Sequence, residues 1–393
     1  MSHASERQKI EEPGFRVPVL TWVPVEEIEE GAMQQIRNAA SHPEVVEHIA
    51  VMPDVHQGYG IPVGSVMLTE QSVIPNAVGV DIGCGVAAYN THLRAEEFET
   101  REFWRRWADQ VARDVPTGFS SHKQPRRLRE LDIRLKAKKL QPLIQEKAAF
   151  QLGTLGGGNH FMEASTDANG EIWLLVHSGS RHTGLRIAGH YHELAKMLKA
   201  FRGLDAIDDL ASLSVEDESG QDYLHDMRWA AKFARESRLR MLSAMARALG
   251  VDIEPSDVVD IPHNLAWEAA GIVTHRKGAT PAARGQIGII PGSMGTSSYI
   301  VEGLGAKESF ESCSHGAGRR MSRNQARSTI SEAEFAQSLA GTFSRPSKKY
   351  LDEAPGAYKN VDHVVDRQSD LVRVVQKLTP IITLKGDVRA RDD

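Results

Sequence analysis

Cysteine is scarce in this chain of 393 residues, in which Cys84 and Cys313 are the only two. Two cysteines are too few for a disulfide framework, and such usage is typical of a protein in a reducing cytoplasm. Long apolar runs are missing as well, since no stretch approaches the roughly 18–20 consecutive apolar residues that span a bilayer. The first residues carry charges with no apolar segment behind them, which excludes a secretory signal peptide. We therefore expect a cytoplasmic protein with no membrane partner.

Neither sign of charge is in strong excess. The 47 Lys and Arg against 52 Asp and Glu give a formal net charge of −5, and 41% of the residues are hydrophobic. This balance excludes a disordered chain and argues against a surface coated with nucleic-acid-binding charge, although it allows a local basic groove. The chain also lacks internal repeats and a Pro- or Ser-rich linker, and we interpret the charged stretch 344–353 as a surface loop. We therefore predict a single domain over residues 1–393.

Apolar periodicity predicts a mixture of helices and strands. Helical spacing marks residues 96–113, 126–141, 185–201 and 216–249. Short apolar runs predict buried strands at residues 63–68, 77–80, 172–176, 286–290 and 297–301. Because helices and strands do not alternate regularly along the chain, the pattern favours an α+β fold: one complex domain with mixed sheets flanked by helices.

Glycine is abundant, and many of the 33 glycines are clustered. Because glycine adopts backbone conformations closed to other residues, such clusters are typical of tight functional loops. The densest clusters are at residues 56–64, 79–85, 153–158, 292–295 and 316–318.

Metal-ligand residue types follow several of these clusters and strands. Asp81 and Cys84 lie in a glycine-rich turn, His160 follows three glycines, and His177 and His263 follow apolar runs. Each alone is more often a buried cysteine or a hydrogen-bonded histidine. Together they offer a carboxylate, a thiolate and three imidazoles, and the thiolate could bridge two divalent cations. Ligand softness alone would favour zinc, so the residue types do not identify the metal.

A histidine in a loop of small residues is the candidate nucleophile. His315 lies in Ser-His-Gly-Ala-Gly, followed by Arg319 and Arg323. An imidazole there could attack phosphorus and form a covalent nucleotidyl intermediate, with the arginines on phosphate oxygens. The alternative is a helix start capped by Ser314 with both arginines solvated. A P-loop and the K-x-D-G string of lysine nucleotidyl transferases are both missing, and Lys385 is either a nucleotide contact or an ordinary exposed lysine.

One segment is strongly basic. Residues 123–139 contain eight Lys or Arg against Glu130 and Asp132, a local charge of 8 − 2 = +6. On a helix this is usually a solvated face, but it is also a candidate track for RNA phosphates.

Taken in order, these motifs resemble the RtcB family of RNA ligases. The resemblance spans residues 53–386, and the ordered set of strings is far more specific than any one of them. The matching strings are PDVHQGYG at 53–60, DIGC at 81–84, GTLGGGNHFME at 153–163, VHSGSR at 176–181, PHN at 262–264, HRKGAT at 275–280, PGSMGT at 291–296, HGAGR at 315–319 and KG at 385–386.

The resemblance implies a reaction and its cofactors. It implies GTP- and manganese-dependent joining of an RNA 3′-phosphate or 2′,3′-cyclic phosphate to a 5′-hydroxyl, in RNA repair or tRNA splicing. His315 would carry GMP after attack on GTP, and the RNA would be tRNA or rRNA fragments. By the same resemblance Asp81, Cys84 and His160 would hold one manganese ion, and Cys84, His177 and His263 the second.

The resemblance also implies a nucleotide pocket. Asn159 would contact the reacting phosphate, and Asp54 would support the metal pocket. Arg319 and Arg323 would hold phosphates of the nucleotide or the RNA. The guanine and ribose would be lined by Phe161, Glu163, Ser293, Ser298 and Lys385, with Tyr358 stacked on guanine.

Two other functions fit part of the pattern. A dinuclear metal phosphoesterase that opens cyclic phosphates without ligation would use the five metal ligands but leave His315 and Lys385 without a role. A non-catalytic RNA-binding protein would give no reason for the complete ligand set. The first predicts turnover without GTP, and the second predicts that His315→Ala has no measurable effect.

Overall fold

The computed structural model describes residues 7–127 and 134–386. The strands in those segments are β1 (Gln8–Ile10), β2 (Val19–Thr21), β3 (Val45–His56), β4 (Val63–Glu70), β5 (Ser72–Val73), β6 (Gly85–Arg94), β7 (Phe161–Thr166), β8 (Glu171–Ser178), β9 (Leu213–Ser214), β10 (Val259–Pro262), β11 (Asn264–Ala269), β12 (Ile272–Lys277), β13 (Ala279–Pro281), β14 (Ile287–Ile290), β15 (Ser298–Gly303), β16 (Ser312–Ser314) and β17 (Val372–Lys385). The helices there are α1 (Glu30–Ala40), α2 (Pro75–Val78), α3 (Arg101–Asp114), α4 (Ala149–Gln151), α5 (Arg181–Arg202), α6 (Glu218–Arg247), α7 (Arg323–Thr329), α8 (Glu332–Ser338) and α9 (Val361–Asp366).

Two large sheets organise these elements. The first has the strand order β1-β2-β3-β4-β12-β11, in which β2 and β3 are parallel. The second has the order β10-β6-β8-β7-β17-β15-β14, and its pairs are antiparallel. Two further short pairs are β13 with β16 and β5 with β9. Helices and sheets combined in this way confirm the predicted α+β class.

Alternation along β8 decides which side chains reach the site. Ile172 and Val176 point to one face of the second sheet, where they pack with Trp104 of α3 and Met241 of α6. Successive side chains of a strand point to opposite faces, so His177 lies on the face away from these helices. The helical layer therefore buries one face of the sheet and leaves the other for function.

The two sheets share a core. Helix α1 covers one face of the first sheet, where Ile36 packs with Val51. On the opposite face Met52 packs with Ile290 and Val301 of the second sheet. Burial of these side chains on both sides fixes the sheets against each other, and the candidate site lies where their strand ends meet.

The two longest helices, α5 and α6, pack against each other. The rings of Tyr191 on α5 and Tyr223 on α6 have centroids 5.2 Å apart, and both belong to one buried cluster. Throughout residues 7–127 and 134–386, no helix combines the length and apolar character needed to cross a membrane.

Most of the predicted elements are confirmed with small shifts of their ends. The helices predicted at 96–113, 185–201 and 216–249 correspond to α3, α5 and α6. The strands predicted at 63–68, 172–176, 286–290 and 297–301 correspond to β4, β8, β14 and β15.

The strand predicted at 77–80 is wrong. Pro75 occupies the first turn of the short helix α2, where its fixed φ and missing N–H are favourable, and Gly79 ends that helix with φ +95°. Ala77 and Val78 are buried as predicted, but in helical geometry. Asp81 therefore lies in a loop and not at the end of a strand.

The helix predicted at 126–141 is also wrong where the structure can be compared with it. Residues 128–133 lie outside the described segments, residues 123–127 are irregular, and 138–140 form a single 3₁₀ turn. The backbone N–H groups of Lys136 and Ala137 donate to the Asp226 carboxylate at 2.8 and 3.0 Å. Because these donors are bound to Asp226 of α6, they cannot continue a helical hydrogen-bond pattern.

Candidate active site

Four of the predicted metal ligands lie at one end of neighbouring strands in the second sheet. Cys84 immediately precedes β6, His160 precedes β7, His177 is one residue from the end of β8, and His263 follows β10. The pairing register sets the residues beside them opposite one another. Four segments far apart in sequence therefore bring a thiol and three imidazoles together on rigid elements.

The distances between these side chains fit metal ligation. The Cys84 Sγ atom lies 3.4 Å from Nε2 of His160 and 3.3 Å from Nε2 of His177. Nε2 of His177 lies 3.4 Å from Nε2 of His263. Donors bound about 2.1 Å from one tetrahedral ion would lie about 3.4 Å apart, so the spacing suits a shared cation. The sulfur and nitrogen donors suit a divalent transition metal.

Asp81 completes the set from the loop after α2. Its Oδ2 atom lies 3.0 Å from Nε2 of His160, and its Oδ1 atom accepts a hydrogen bond from the Ser180 backbone N–H at 3.0 Å. A Cβ atom at position 179 would overlap the Asp81 carboxylate, so Gly179 gives the carboxylate its room. All five predicted metal ligands therefore lie in one cluster.

Burial sets the charges of this cluster when no ion is bound. It lowers the pKa of His177 and of His263 well below the usual value, and the neighbouring imidazoles lower both further. It raises the pKa of the Cys84 thiol, and the adjacent Asp81 carboxylate adds to that rise. Burial also opposes ionisation of Asp81, but contact with His160 outweighs it and the pKa of Asp81 is lowered. His177 and His263 are thus neutral and ready to ligate, whereas the Cys84 thiol needs a cation to ionise.

His315 stands beside the metal-ligand cluster and is held by Asp54. It follows β16, and its ring centroid lies 4.7 Å from that of His263. Oδ2 of Asp54 lies 2.6 Å from Nδ1 of His315 and accepts hydrogen bonds from the backbone N–H groups of His315 and Gly316. Asp54 therefore contacts the candidate nucleophile directly, and its support of the metal pocket stays a prediction. The contact leaves Nε2 of His315 as the ring nitrogen available for chemistry.

Two cavities meet at His315. One has a volume of about 190 Å³ and is lined by Asp81, Cys84, His160 and His263; the other, of about 280 Å³, is the candidate nucleotide cavity. Asn159 and His315 line both. The predicted nucleotide contacts that line the second cavity are Phe161, Glu163, Ser293, Tyr358, Lys385, Arg319 and Arg323. Ser298 lies behind its wall, where its hydroxyl accepts from the Gly292 N–H at 3.3 Å.

Glu163 is a buried carboxyl group in the wall of the nucleotide cavity. It accepts hydrogen bonds from the hydroxyls of Ser165 at 2.9 Å and Thr383 at 2.7 Å. Burial raises the pKa of Glu163 to about 7, although both hydrogen bonds oppose the rise. The group can therefore change protonation state near neutral pH.

A second buried carboxylate, Glu353, was missed by the sequence analysis. It lies in the stretch interpreted as a surface loop, yet its side chain is only 1% exposed. It accepts from Nζ of Lys385 at 2.7 Å, from Arg319 and Arg323 at 2.6 Å each, and from the Tyr358 hydroxyl at 2.7 Å. The arginines are therefore neither solvated nor on a helix capped by Ser314, since α7 begins at Arg323. The apolar residues just before Glu353 were the one sequence signal for burial.

Lys277 was also missed, although it stands in one of the quoted strings. It lines the metal cavity, and its Nζ atom donates to the backbone carbonyls of Asn76, at 3.1 Å, and Tyr59. Burial lowers the pKa of Lys277 to about 7. Its position beside the metal ligands makes it a candidate phosphate contact.

Comparison with known proteins is consistent with this geometry. The family model described as "tRNA-splicing ligase RtcB" matches residues 35–149 and 134–386. An "RNA-splicing ligase RtcB" of Escherichia coli strain K12 is 38% identical over 402 residues, covering 94% of this chain and 97% of that protein. A "tRNA-splicing ligase RtcB" of Thermococcus kodakarensis is 31% identical, covering 90% and 91%. An "RNA-splicing ligase RtcB" of Mycobacterium tuberculosis is 31% identical, covering 90% and 100%.

Proposed function

The chain belongs to the RtcB family of tRNA-splicing ligases, and on that premise we propose that it uses GTP and manganese to join RNA ends. One end carries a 3′-phosphate or a 2′,3′-cyclic phosphate, and the other carries a 5′-hydroxyl. The observation that carries this proposal is the position of His315, which lines both the cavity of metal ligands and the nucleotide cavity.

His315 is the proposed nucleophile. With Nδ1 held against Asp54, Nε2 attacks the α-phosphorus of GTP, an N–P bond forms, and the P–O bond to the leaving pyrophosphate breaks. The Asp54 carboxylate stabilises the positive charge that the imidazole acquires. The RNA 3′-phosphate then takes GMP from the imidazole, after water has opened a cyclic end if one is present. The 5′-hydroxyl finally attacks the activated phosphate, and GMP leaves.

Five residues are proposed to hold two manganese ions. Asp81, Cys84 and His160 would bind one ion, and Cys84, His177 and His263 the other. When bound, the ions would neutralise charge on the reacting phosphates. Cys84 and the three histidines are buried, and the Asp81 side chain is only 18% exposed, so the donors are held in place before binding. Manganese comes from the earlier resemblance, and the donor set itself also suits zinc.

The nucleotide cavity is proposed to select guanine. The Glu163 carboxylate can accept from the N–H groups on the Watson–Crick edge of guanine, which adenine does not offer in the same arrangement. Lys385, Phe161 and Tyr358 would line the base and ribose. Ser293 and Asn159 would contact the nucleotide or its phosphates, and Ser298 would support the cavity wall through the Gly292 N–H. Arg319 and Arg323, which also pair with Glu353, would hold phosphates.

The proposal also covers the RNA substrate, the domain and the cellular compartment. We infer that the RNA ends come from tRNA or rRNA fragments, that residues 1–393 form one ligase domain, and that the enzyme acts in the cytoplasm. The printed name of the Thermococcus kodakarensis relative, a tRNA-splicing ligase, supports the first inference.

Intact-protein mass spectrometry tests the central step. Wild type, His315→Ala and His92→Ala are incubated with GTP and manganese, with bound metal measured in parallel. His92 is the matched control because its side chain is 74% exposed and lines neither cavity. A mass gain of one GMP group is expected in wild type and His92→Ala only. Metal-loaded wild type that gains no mass, yet opens a cyclic phosphate without GTP, would instead identify a phosphoesterase.

A further inference from the structure

A third cavity lies beside the nucleotide cavity and has no role in the function proposed above. Its volume is about 550 Å³, larger than either cavity that meets at His315. It is a groove between α3 and the segment 343–350, with strand β17 along its floor. We name it the α3 groove.

One face of α3 forms the first wall. Arg101, Arg105, Ala108 and Ala112 all line the groove. Their spacing of four, three and four residues places them on one side of an α-helix. The alanines leave the wall low, while the two arginines stand about 6 Å apart along the helix axis. This helix face is therefore open and carries two cationic side chains.

The groove carries more positive than negative side chains. Arg101, Arg105, Arg345 and Lys349 line it against a single acid, Asp109. All four cations are exposed, and within residues 7–127 and 134–386 none of them forms an ion pair. Such a cluster is unexpected in a chain whose net charge is −5, because unpaired like charges repel one another. It indicates an anionic ligand.

Aromatic and apolar surface accompanies this charge. The Arg101 guanidinium lies 5.5 Å from the centroid of the Phe343 ring, and Lys349 Nζ lies 4.6 Å from that of Tyr350. Both rings line the groove and are half-buried. A positively charged groove with aromatic faces is the combination by which proteins bind single-stranded nucleic acid.

The α3 groove is continuous with the nucleotide cavity. Met294, Thr383 and Lys385 line both of them. The Tyr350 hydroxyl, on the groove side, donates to the backbone carbonyl of Lys385 at 3.2 Å. A ligand in the groove would therefore lie next to the strand that carries Lys385.

We propose that the α3 groove binds the single-stranded RNA whose end is ligated at His315. The identification of the anion as RNA rests on the proposed ligase function. The four cations stand on exposed side chains, two on α3 and two on the segment 343–350, so they line both sides of the groove, which suits a strand of phosphates better than a free nucleotide. The apolar floor then faces the bases or riboses.

The test compares two double variants of the same helix. Arg101→Gln with Arg105→Gln removes two groove charges, and Arg106→Gln with Arg113→Gln removes two exposed charges of α3 that do not line the groove. The probes are two labelled single-stranded RNAs, one ending in a 3′-phosphate and one beginning with a 5′-hydroxyl, each blocked at its other end. Fluorescence anisotropy gives the Kd over a series of salt concentrations.

The expected result is specific to the groove variant. For a single strand, each lost phosphate contact reduces the steepness of log K against log salt by about 0.7. The loss of two contacts therefore reduces it by about 1.4, which raises the Kd about 25-fold at 0.1 M salt. The loss should appear with at least one probe, and the control variant should bind as wild type does. Unchanged Kd and slope with both probes, or equal losses in the two variants, would overturn the proposal.

Formation of the GMP adduct separates this proposal from the one on which it rests. The groove variant should gain GMP at the wild-type rate, because its changed side chains do not line the cavity that holds His315. A wild-type protein that never gains GMP contradicts the ligase chemistry. A groove variant that gains GMP normally and binds RNA normally contradicts only the groove.

Discussion

Glu353→Gln is the sharpest test of the buried charge network in the nucleotide cavity. The wild-type carboxylate accepts four hydrogen bonds of 2.6–2.7 Å from Lys385, Arg319, Arg323 and Tyr358. The side chains of Glu353 and Lys385 are 1% and 4% exposed, so water cannot replace the lost charge. The amide keeps the size of the side chain but leaves buried cations without their counter-ion.

The pKa of Glu353 gives the size of the expected loss of folding free energy. Burial opposes its ionisation, but Lys385, Arg319 and Arg323 outweigh burial and lower the pKa from 4.5 to about 2. This lowering of the Glu353 pKa in the folded protein corresponds to about 3 kcal/mol of folding free energy. Because the folded pKa is below the unfolded one, this stability is fully present above pH 4.5 and is lost as the pH falls towards 2.

Urea unfolding at pH 7.0, 5.0 and 3.5 measures the effect. With an m value of about 3 kcal/mol per M for a chain of this size, the variant should unfold about 1 M earlier at pH 7.0 and 5.0. The difference should shrink at pH 3.5. Coincident fluorescence and circular dichroism curves are needed to treat the transition as two-state.

The matched control is Glu302→Gln. Glu302 pairs with Arg373 at 2.6 Å, but their side chains are 30% and 61% exposed, so its loss should cost below about 1 kcal/mol. An equal midpoint shift for Glu302 and Glu353 variants would refute the argument from burial. A Glu353→Gln effect that is as large at pH 3.5 as at pH 7.0 would refute the argument from charge.

Three further predictions concern the reaction itself. Cys84→Ser should lower manganese affinity at least about tenfold by calorimetry, while Cys313→Ser, a buried cysteine outside the ligand cluster, should bind as wild type does. Asp54→Asn should slow GMP transfer to His315 by about 10²–10⁴-fold, and a loss under tenfold would show that the contact with Nδ1 is dispensable. The affinity for GTP should fall below about pH 7, where Glu163 becomes protonated. Glu163→Gln should bind GTP weakly at every pH, and its preference for GTP over ATP should be smaller than that of wild type. A wild-type affinity that does not vary between pH 6 and 8 would contradict this role.

Sequence reasoning grouped the candidate metal ligands because the end of a strand fixes where its last side chains lie; that they bind metal stays a prediction. His160, His177 and His263 each adjoin an apolar run or a glycine turn, and such places adjoin one another when strands pair. The α+β class followed from the irregular order of helices and strands. Asp81 was placed in the right cluster for the wrong local reason, because Pro75 turns the preceding apolar run into helix.

Glu353 shows what local sequence could not supply. Its burial depends on Lys385 of β17 and on Arg319 and Arg323, which lie about 30 residues away in either direction. A carboxylate can be buried at that place only when all three cations arrive through the tertiary fold. Charge content alone therefore predicted an exposed loop.

Lys385 and His315, two basic side chains that line this cavity, differ in how a neighbouring carboxylate holds them. Burial lowers the pKa of Lys385, but the Glu353 carboxylate 2.7 Å away opposes that fall, and the ion pair occupies the lysine nitrogen. His315 is bound to Asp54 through Nδ1, which leaves the lone pair on Nε2. In the proposed mechanism, one carboxylate thus keeps the lysine a binding group, and the other orients the imidazole as the nucleophile. The absence of a K-x-D-G string from the chain agrees with this division.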